Sequence, residues 1–349
     1  MTMPKTMKAA ILVELQQPLV VDEIELPQTL DVGQVLVKVE CSGICGSQLG
    51  EIDGAKGEDK YLPHLLGHEG SGVVEAVGPG VRFVKPGDRV VLHWRKSQGI
   101  DSVPPKYTWH GKTLNAGLIA TFNEYAIVSE NRVTRIDAGS DMEVASLFGC
   151  AVTTGFGVAE NNAKIKFGES VVVFGAGGVG LNIIQAAGLL SAYPIIAVDL
   201  YDGRLELAKT LGATHTINAK NVDAKAALLE LLGPQSLDVF IDNTGQPSII
   251  EMGYELTKAQ GRVVLVGVPR KGRNISIFSL PLHFDKRISG SHGGEAVPHL
   301  DIPRYTKLLD AGLIQLKPLI TEYFKLDDIN TAIQRMRSGE LSGRCLIKM

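Results

Sequence analysis

The sequence predicts an α/β protein of two domains, one built from short β-strands and one from a doubly wound parallel sheet. Three observations carry this. The chain has 349 residues, enough for about two domains at roughly 150 residues each. Up to about residue 150 it reads as short apolar runs broken by turns. From about residue 170 strands alternate with helices, the pattern of βαβ units and a parallel sheet.

The first region carries strands at VLVKVE (35–40), SGVVEAV (71–77), DRVVLH (88–93) and EYAIVS (124–129). Turn signals separate them at Asp31-Val32-Gly33, Gly78-Pro79-Gly80 and Lys85-Pro86-Gly87-Asp88. Such spacing suits a barrel or sandwich. In the second region VVVFG precedes a helix over 178–190, then come IIAVD (195–199), a helix over 202–213, HTIN, a helix over 222–233, LDVFIDNTG (237–245), another helix and RVVLVG (262–267). The last part is helical at IPRYTKLLDAGLI and LDDINTAIQRMRSGE, with apolar residues at three- and four-residue spacing, and ends in a strand at RCLIKM.

Composition narrows the function. The formal net charge is −3, which gives no electrostatic reason to expect nucleic acid or an anionic membrane as partner. Hydrophobic residues at 44% and charged residues at 21% indicate a globular chain. Four cysteines, Cys41, Cys45, Cys150 and Cys345, are too sparse for a disulfide scaffold. The start has no long apolar stretch before Glu14, so no secretory signal is read and a cytoplasmic protein with reduced thiols is expected. The 29 residues from Ser170 to Val198 are uncharged and long enough to cross a bilayer. Their glycines, Pro194, Asn182 and Gln185 fit strand, turn, helix and strand better.

Gly175-Ala176-Gly177-Gly178-Val179-Gly180 matches G-x-G-x-x-G between a strand and a helix, the context a dinucleotide fingerprint requires. Gly175 suits the tight turn, Gly177 close approach of backbone to a pyrophosphate, and Gly180 helix–strand packing. Asp199 ends the next strand, where a carboxylate binds ribose hydroxyls and repels a 2′-phosphate. NAD is therefore expected over NADP. Arg204 lies near enough to hold a phosphate, and Asp202 is the expected N-cap of the following helix.

Cys45 in SGICGSQ, His68 and Glu69 in LLGHEGSGVVEAVG, and Cys150 in FGCAVTTGFG lie in glycine-flanked segments without a core pattern. Taken singly, a cysteine is more often a small buried hydrophobe and a histidine an ordinary core or surface residue. Together the segments resemble the zinc-dependent medium-chain dehydrogenase/reductase family of alcohol, polyol and threonine dehydrogenases. The resemblance spans essentially the whole chain: Gly67-His68-Glu69-x-x-Gly72-x5-Gly78, Gly43-Ile44-Cys45-Gly46 and Gly149-Cys150 through Thr154-Gly155.

The resemblance implies a GroES-like catalytic domain (1–151 with 289–349), a Rossmann NAD-binding domain (152–288) and an active site in the cleft. It implies a catalytic zinc on Cys45, His68 and Cys150, with Glu69 a neighbour that enters the shell. It makes Ser47 a proton relay and sets Thr154, Gly267 and Val268 beside the nicotinamide. Three ligands leave one zinc position for substrate, and zinc acidifies a bound alcohol or polarises a carbonyl. The expected reaction is hydride transfer between a secondary alcohol, of the polyol, sugar or cyclitol class, and NAD. A homodimer or homotetramer is expected, with ISIFSL (275–280) as an edge strand pairing across it. Two alternatives remain: a zinc-free quinone or enoyl reductase on this fold, and a silent nucleotide-binding protein.

The chain departs from the family in three places. Residues 93–123 contain no cysteine, which excludes the four-cysteine structural zinc of many members. Instead the segment carries Arg95, Lys96, Lys106 and Lys112 against Asp101, with His93, His110, Trp94 and Trp109. That local charge of about +3 suggests recognition of an anionic or polyhydroxylated substrate. Gln48 stands where an Asp is frequent, so an acidic partner of the metal site is missing. Gly50 and Glu51 stand where some members complete the relay with a histidine. Cys41 and Cys345 read as buried structural residues.

Overall fold

The computed structural model describes residues 3–349. Its internal contacts divide the chain into two units. One runs up to Cys150 and takes in Val297–Asp310 and Ile320–Met349; the other comprises Ala151–Ala296 and Ala311–Leu319.

The first unit opens with β1 (Thr6–Leu12), β2 (Val20–Glu25), β3 (Gln34–Gly43), α1 (Gly46–Ile52), β4 (His64–Leu65), β5 (Glu69–Val77), β6 (Arg89–His93), β7 (Lys106–Trp109), β8 (Lys112–Asn115), β9 (Tyr125–Ser129), β10 (Val133–Arg135) and α2 (Met142–Ser146). All four strands expected here form. Strands β1-β2-β7-β8-β4 close a small barrel. The basic segment is thus partly architectural. Tyr107 is buried in the barrel and its hydroxyl accepts the Ile127 N–H at 3.0 Å. Trp109 Nε1 donates to Asp22 at 2.9 Å. Alternate residues of β3, β5 and β6 (Val35, Val37, Val39, Val74, Val90, Leu92) form the core of the adjoining sheet, as the strand period of two requires.

The second unit contains α3 (Ala151–Gly157), β11 (Val171–Phe174), α4 (Gly178–Leu189), β12 (Ile195–Asp199), α5 (Asp202–Thr210), β13 (His215–Asn218), α6 (Ala224–Leu232), β14 (Leu237–Asp242), α7 (Pro247–Leu256), β15 (Thr257–Leu265) and β16 (Arg287–Gly290). The sheet is parallel, in the order β13-β12-β11-β14-β15-β16. Strands β11 and β12 are buried throughout, as expected for parallel strands covered on both faces. The uncharged stretch from Ser170 therefore folds as strand, helix and strand. No single helix among the described residues is long and apolar enough to cross a membrane.

The chain then returns to the first unit with α8 (Pro298–Asp310), β17 (Ile320–Lys325), α9 (Ile329–Ser338) and β18 (Arg344–Lys348). β18 pairs antiparallel with β3, setting Leu346 opposite Gly43.

Three expectations need correction. Residues 289–296 group with the parallel sheet, because β16 pairs with β15 and Gly294 packs against α3. Residues 311–319 do likewise, where the Gln315 N–H donates to Gln185 on α4 at 2.9 Å. Residues 275–280 form no strand, and the sheet edge is β16. The N-cap of α5 is Tyr201, because the helix already begins at Asp202.

Candidate metal centre and dinucleotide site

Three turns bring the metal-ligating side chains together within the first unit. Cys45 lies in extended backbone just before α1, His68 between β4 and β5, and Cys150 at a break between helical segments. Their ligand atoms all lie within 4.8 Å of one another. Gly149 makes the approach possible: a Cβ there would stand 2.7 Å from the Cα of Glu69. Cys45 and Cys150 are buried. The neighbouring Cys150 thiol, with His68 and Arg344, holds the Cys45 thiol well below its usual pKa, although burial opposes this.

The polar atoms around the cluster fit a bound cation. His68 Nε2 and Ser47 Oγ are buried and meet no hydrogen-bond partner within the protein, a costly arrangement unless something else satisfies them. Gln48 is buried, and its Oε1 accepts the Cys45 N–H at 2.9 Å. The residue that replaces the frequent Asp therefore holds the backbone of a ligand.

Glu69 is not part of the cluster. Its fully buried carboxylate forms an ion pair with Arg344 at the head of β18. Its carbonyl accepts the hydroxyls of Ser42 at 3.0 Å and Thr121 at 3.2 Å. Here Glu69, expected as a close neighbour of the ligands, is seated on Arg344. Sequence reasoning missed Arg344; the signal was a cation opening the strand RCLIK directly ahead of three apolar residues.

In the second unit the glycine turn joins β11 to α4. Gly175 adopts φ +93°, which glycine accommodates best. At Gly180 a Cβ would collide with the Gly175 carbonyl, whereas at Gly177 it would meet nothing within 4 Å. Gly178 and Val179 begin α4, whose first N–H groups lack helical acceptors. Asp199 Oδ2 accepts the Ala176 N–H at 2.8 Å, and Oδ1 accepts those of Leu200 at 2.7 Å and Tyr201 at 3.2 Å. Arg204 sits 3.7 Å from Asp199, and its guanidinium lies 4.9 Å from the Tyr201 ring centroid.

The strand order reverses direction between β11 and β14, where open α/β sheets bind ligands beyond the strand ends. Gly175 faces Asn243 and Thr244 after β14, while Gly245 and Gly267 approach each other closely. Val268 is exposed. Thr154 is buried on α3, with an Oγ1 that meets no partner within the protein. Gly155 brings α3 against Asn182 of α4.

Residues 31–138 match the family model described as the alcohol dehydrogenase GroES-like domain. Residues 178–311 match the one described as zinc-binding dehydrogenase. S-(hydroxymethyl)glutathione dehydrogenase from Paracoccus denitrificans is 32% identical over 95% of this chain and 97% of its own length. The chain belongs to the zinc-dependent medium-chain dehydrogenase family. NDMA-dependent alcohol dehydrogenase from Amycolatopsis methanolica is likewise 32% identical, over 95% of this chain and 96% of its own. The crystal structure of benzyl alcohol dehydrogenase from Acinetobacter calcoaceticus superposes with TM-score 0.88 at 30% identity, covering 99% of this chain and 100% of that one. Family membership makes the chain an oxidoreductase of the alcohol dehydrogenase type and sets the parallel sheet in a Rossmann context.

Proposed function

We propose that this member of the family is NAD-dependent, holds one zinc ion on Cys45, His68 and Cys150, and moves hydride between a secondary alcohol of the polyol, sugar or cyclitol class and NAD. The observation that carries this reading is the gathering of three ligand atoms within 4.8 Å around a buried His68 Nε2 that meets no partner in the protein. When bound, the metal supplies Lewis acidity and NAD the hydride acceptor. The chain's own groups do the rest. Two thiolates and a neutral imidazole would offset the charge of a divalent cation, giving a complex of net charge near zero and leaving a fourth position. Ser47 Oγ carries the alcohol proton away. Arg344 keeps the Glu69 carboxylate compensated close to the ligands.

On the cofactor side, the free N–H groups at the start of α4 receive the pyrophosphate and Asp199 receives the ribose hydroxyls. Arg204, drawn toward Asp199, is not positioned as a phosphate ligand. Thr154, Gly267 and Val268 line the nicotinamide. The zinc-free reductase has no use for the three-ligand cluster, and the silent protein none for the relay hydroxyl. A cytoplasmic homodimer or homotetramer is the expected state, joined at the β16 edge, where Phe278 and Phe284 are exposed.

Zinc content together with NADH and NADPH titration on one preparation tests the reading. About one zinc per chain, preference for NADH, and turnover within a panel of polyols and sugars uphold it. No zinc in protein never exposed to chelator overturns the metal assignment, and tight NADPH binding overturns the role of Asp199.

A further inference from the structure

An alcohol proton handed to Ser47 must travel further. Ser47 Oγ is buried and meets no hydrogen-bond partner within the protein, so the hydroxyl has no acceptor of its own. Helix α1 supplies a single titratable side chain, Glu51. It lies four residues after Ser47, one turn along the same face, where Cβ atoms stand about 5–6 Å apart. Side chains lean toward the start of a helix, which tilts the long Glu51 side chain back toward Ser47. Gly50 shares that face and adds no side chain; outside the helix a Cβ there would meet only Ala55 Cβ, at 3.7 Å.

Burial is graded along this face. The Ser47 hydroxyl is inside, whereas the Glu51 side chain is 36% exposed, with Lys56 Nζ 3.5 Å from its Oε1. An ion pair so open to solvent is weak and leaves the carboxylate able to accept a proton. Neighbouring acids are engaged elsewhere: Asp53 is held by Arg337 at 2.5 Å and Asp59 by His64 at 2.8 Å. Glu58 is exposed and lies beyond the helix. The helix thus carries a buried hydroxyl on one turn and a carboxylate open to solvent on the next.

We infer that Glu51 is the outer proton acceptor of the reaction, taking the alcohol's proton by way of Ser47 and passing it to solvent. The inference rests on the alcohol dehydrogenase reading above and completes its proton path. The alcohol O–H bond breaks and its proton goes to Ser47 Oγ. The proton that Ser47 gives up crosses one water to a Glu51 carboxylate oxygen, within the reach of a positioned base. The alcohol keeps the electron pair of its O–H bond and loses hydride to NAD. Glu51, now neutral, gives its proton to water or buffer and is a carboxylate again.

The test uses the zinc-loaded protein with NAD and compares wild type, Glu51→Gln and Glu51→Asp. Stopped-flow mixing with 2,2,2-trifluoroethanol, an alcohol that resists oxidation, reads proton release through a pH indicator and needs no turnover. Glu51→Gln should slow the release roughly a hundredfold, the low end of what a positioned base supplies. Glu51→Asp keeps a carboxylate and should recover part of the rate. Formate, a small free carboxylate, should restore release in Glu51→Gln saturably and leave the wild type unchanged, which loss of a merely structural side chain would not allow. Single-turnover NADH formation from the best alcohol of the polyol and sugar panel should follow the same order. Equal release rates in wild type and Glu51→Gln, or a slow release that formate does not restore, overturns the inference and leaves the alcohol dehydrogenase reading standing. No proton release, and no NADH from any alcohol, with zinc-loaded wild type overturns both.

Discussion

His93 should make the protein lose stability in mild acid, by an amount that can be worked out. It is fully buried at the end of β6, with Nδ1 2.8 Å from the Arg95 carbonyl and Nε2 2.9 Å from Thr134 Oγ1. Nδ1 therefore donates, and Nε2 accepts the threonine hydroxyl. Both nitrogens are satisfied in the neutral ring, and a second proton would displace the Thr134 donor. Burial, with the charge of Arg132 adding, depresses its pKa from 6.5 to about 4. Above the unfolded value neither state binds the proton, and the contribution is constant. As pH falls from 6.5 toward 4, the unfolded chain takes up a proton that the native state refuses, and stability drops. A gap of about 2.5 units at about 1.4 kcal/mol each gives a loss of about 3.5 kcal/mol when fully expressed. The assay is urea unfolding from about pH 7 to about pH 4.5, comparing wild type with His93→Asn. The variant keeps a donor toward the Arg95 carbonyl but cannot titrate. It should be less stable at neutral pH, and its deficit should shrink by roughly 2–3 kcal/mol on acidification. Parallel pH curves for the two proteins would refute a neutral buried imidazole.

Three further outcomes are expected. Arg344→Met leaves the buried Glu69 carboxylate without its cation and should cost about 3–5 kcal/mol in chemical denaturation; adding Glu69→Gln should recover part of that. Asp199→Ser removes the carboxylate 3.7 Å from Arg204 and should shift the NADH-to-NADPH affinity ratio toward NADPH by about tenfold, read by fluorescence titration. Chelator treatment should expose Cys45 and Cys150 to a thiol reagent, while Cys41 and Cys345, whose burial pushes their thiols to about 11, react only on unfolding; counting fast-reacting thiols checks this.

Much of the fold was legible in short windows of sequence. VVVF before the glycine turn could only be a buried strand leading into a helix. LDVFID and IIAVD read correctly as strands of the parallel sheet. The metal cluster was legible because its three glycine-flanked segments resemble the ligand motifs of the family; beside Cys150, Gly149 lets the backbone approach Glu69 closely. ISIFSL misled because its alternation suits a strand, yet its residues form no ladder.

The sequence by itself determined what local backbone conformation and side-chain periodicity encode, the alternation of strands and helices and the glycine turn, while resemblance to the family pointed to Cys45, His68 and Cys150 as the candidate ligands. Tertiary structure decided what depends on pairing between distant segments. It seated Glu69 on Arg344, because β18 adds to β3 and brings a residue near the C-terminus beneath the GHE turn. It made the β7–β8 hairpin a wall of a closed barrel, and it allotted 289–296 to the parallel sheet through the β15–β16 ladder. The physical reason is common to all three. A short segment specifies its own conformation through sterics and solvent exposure, but a buried charge or a strand edge is satisfied only by a partner that the folded chain brings from elsewhere.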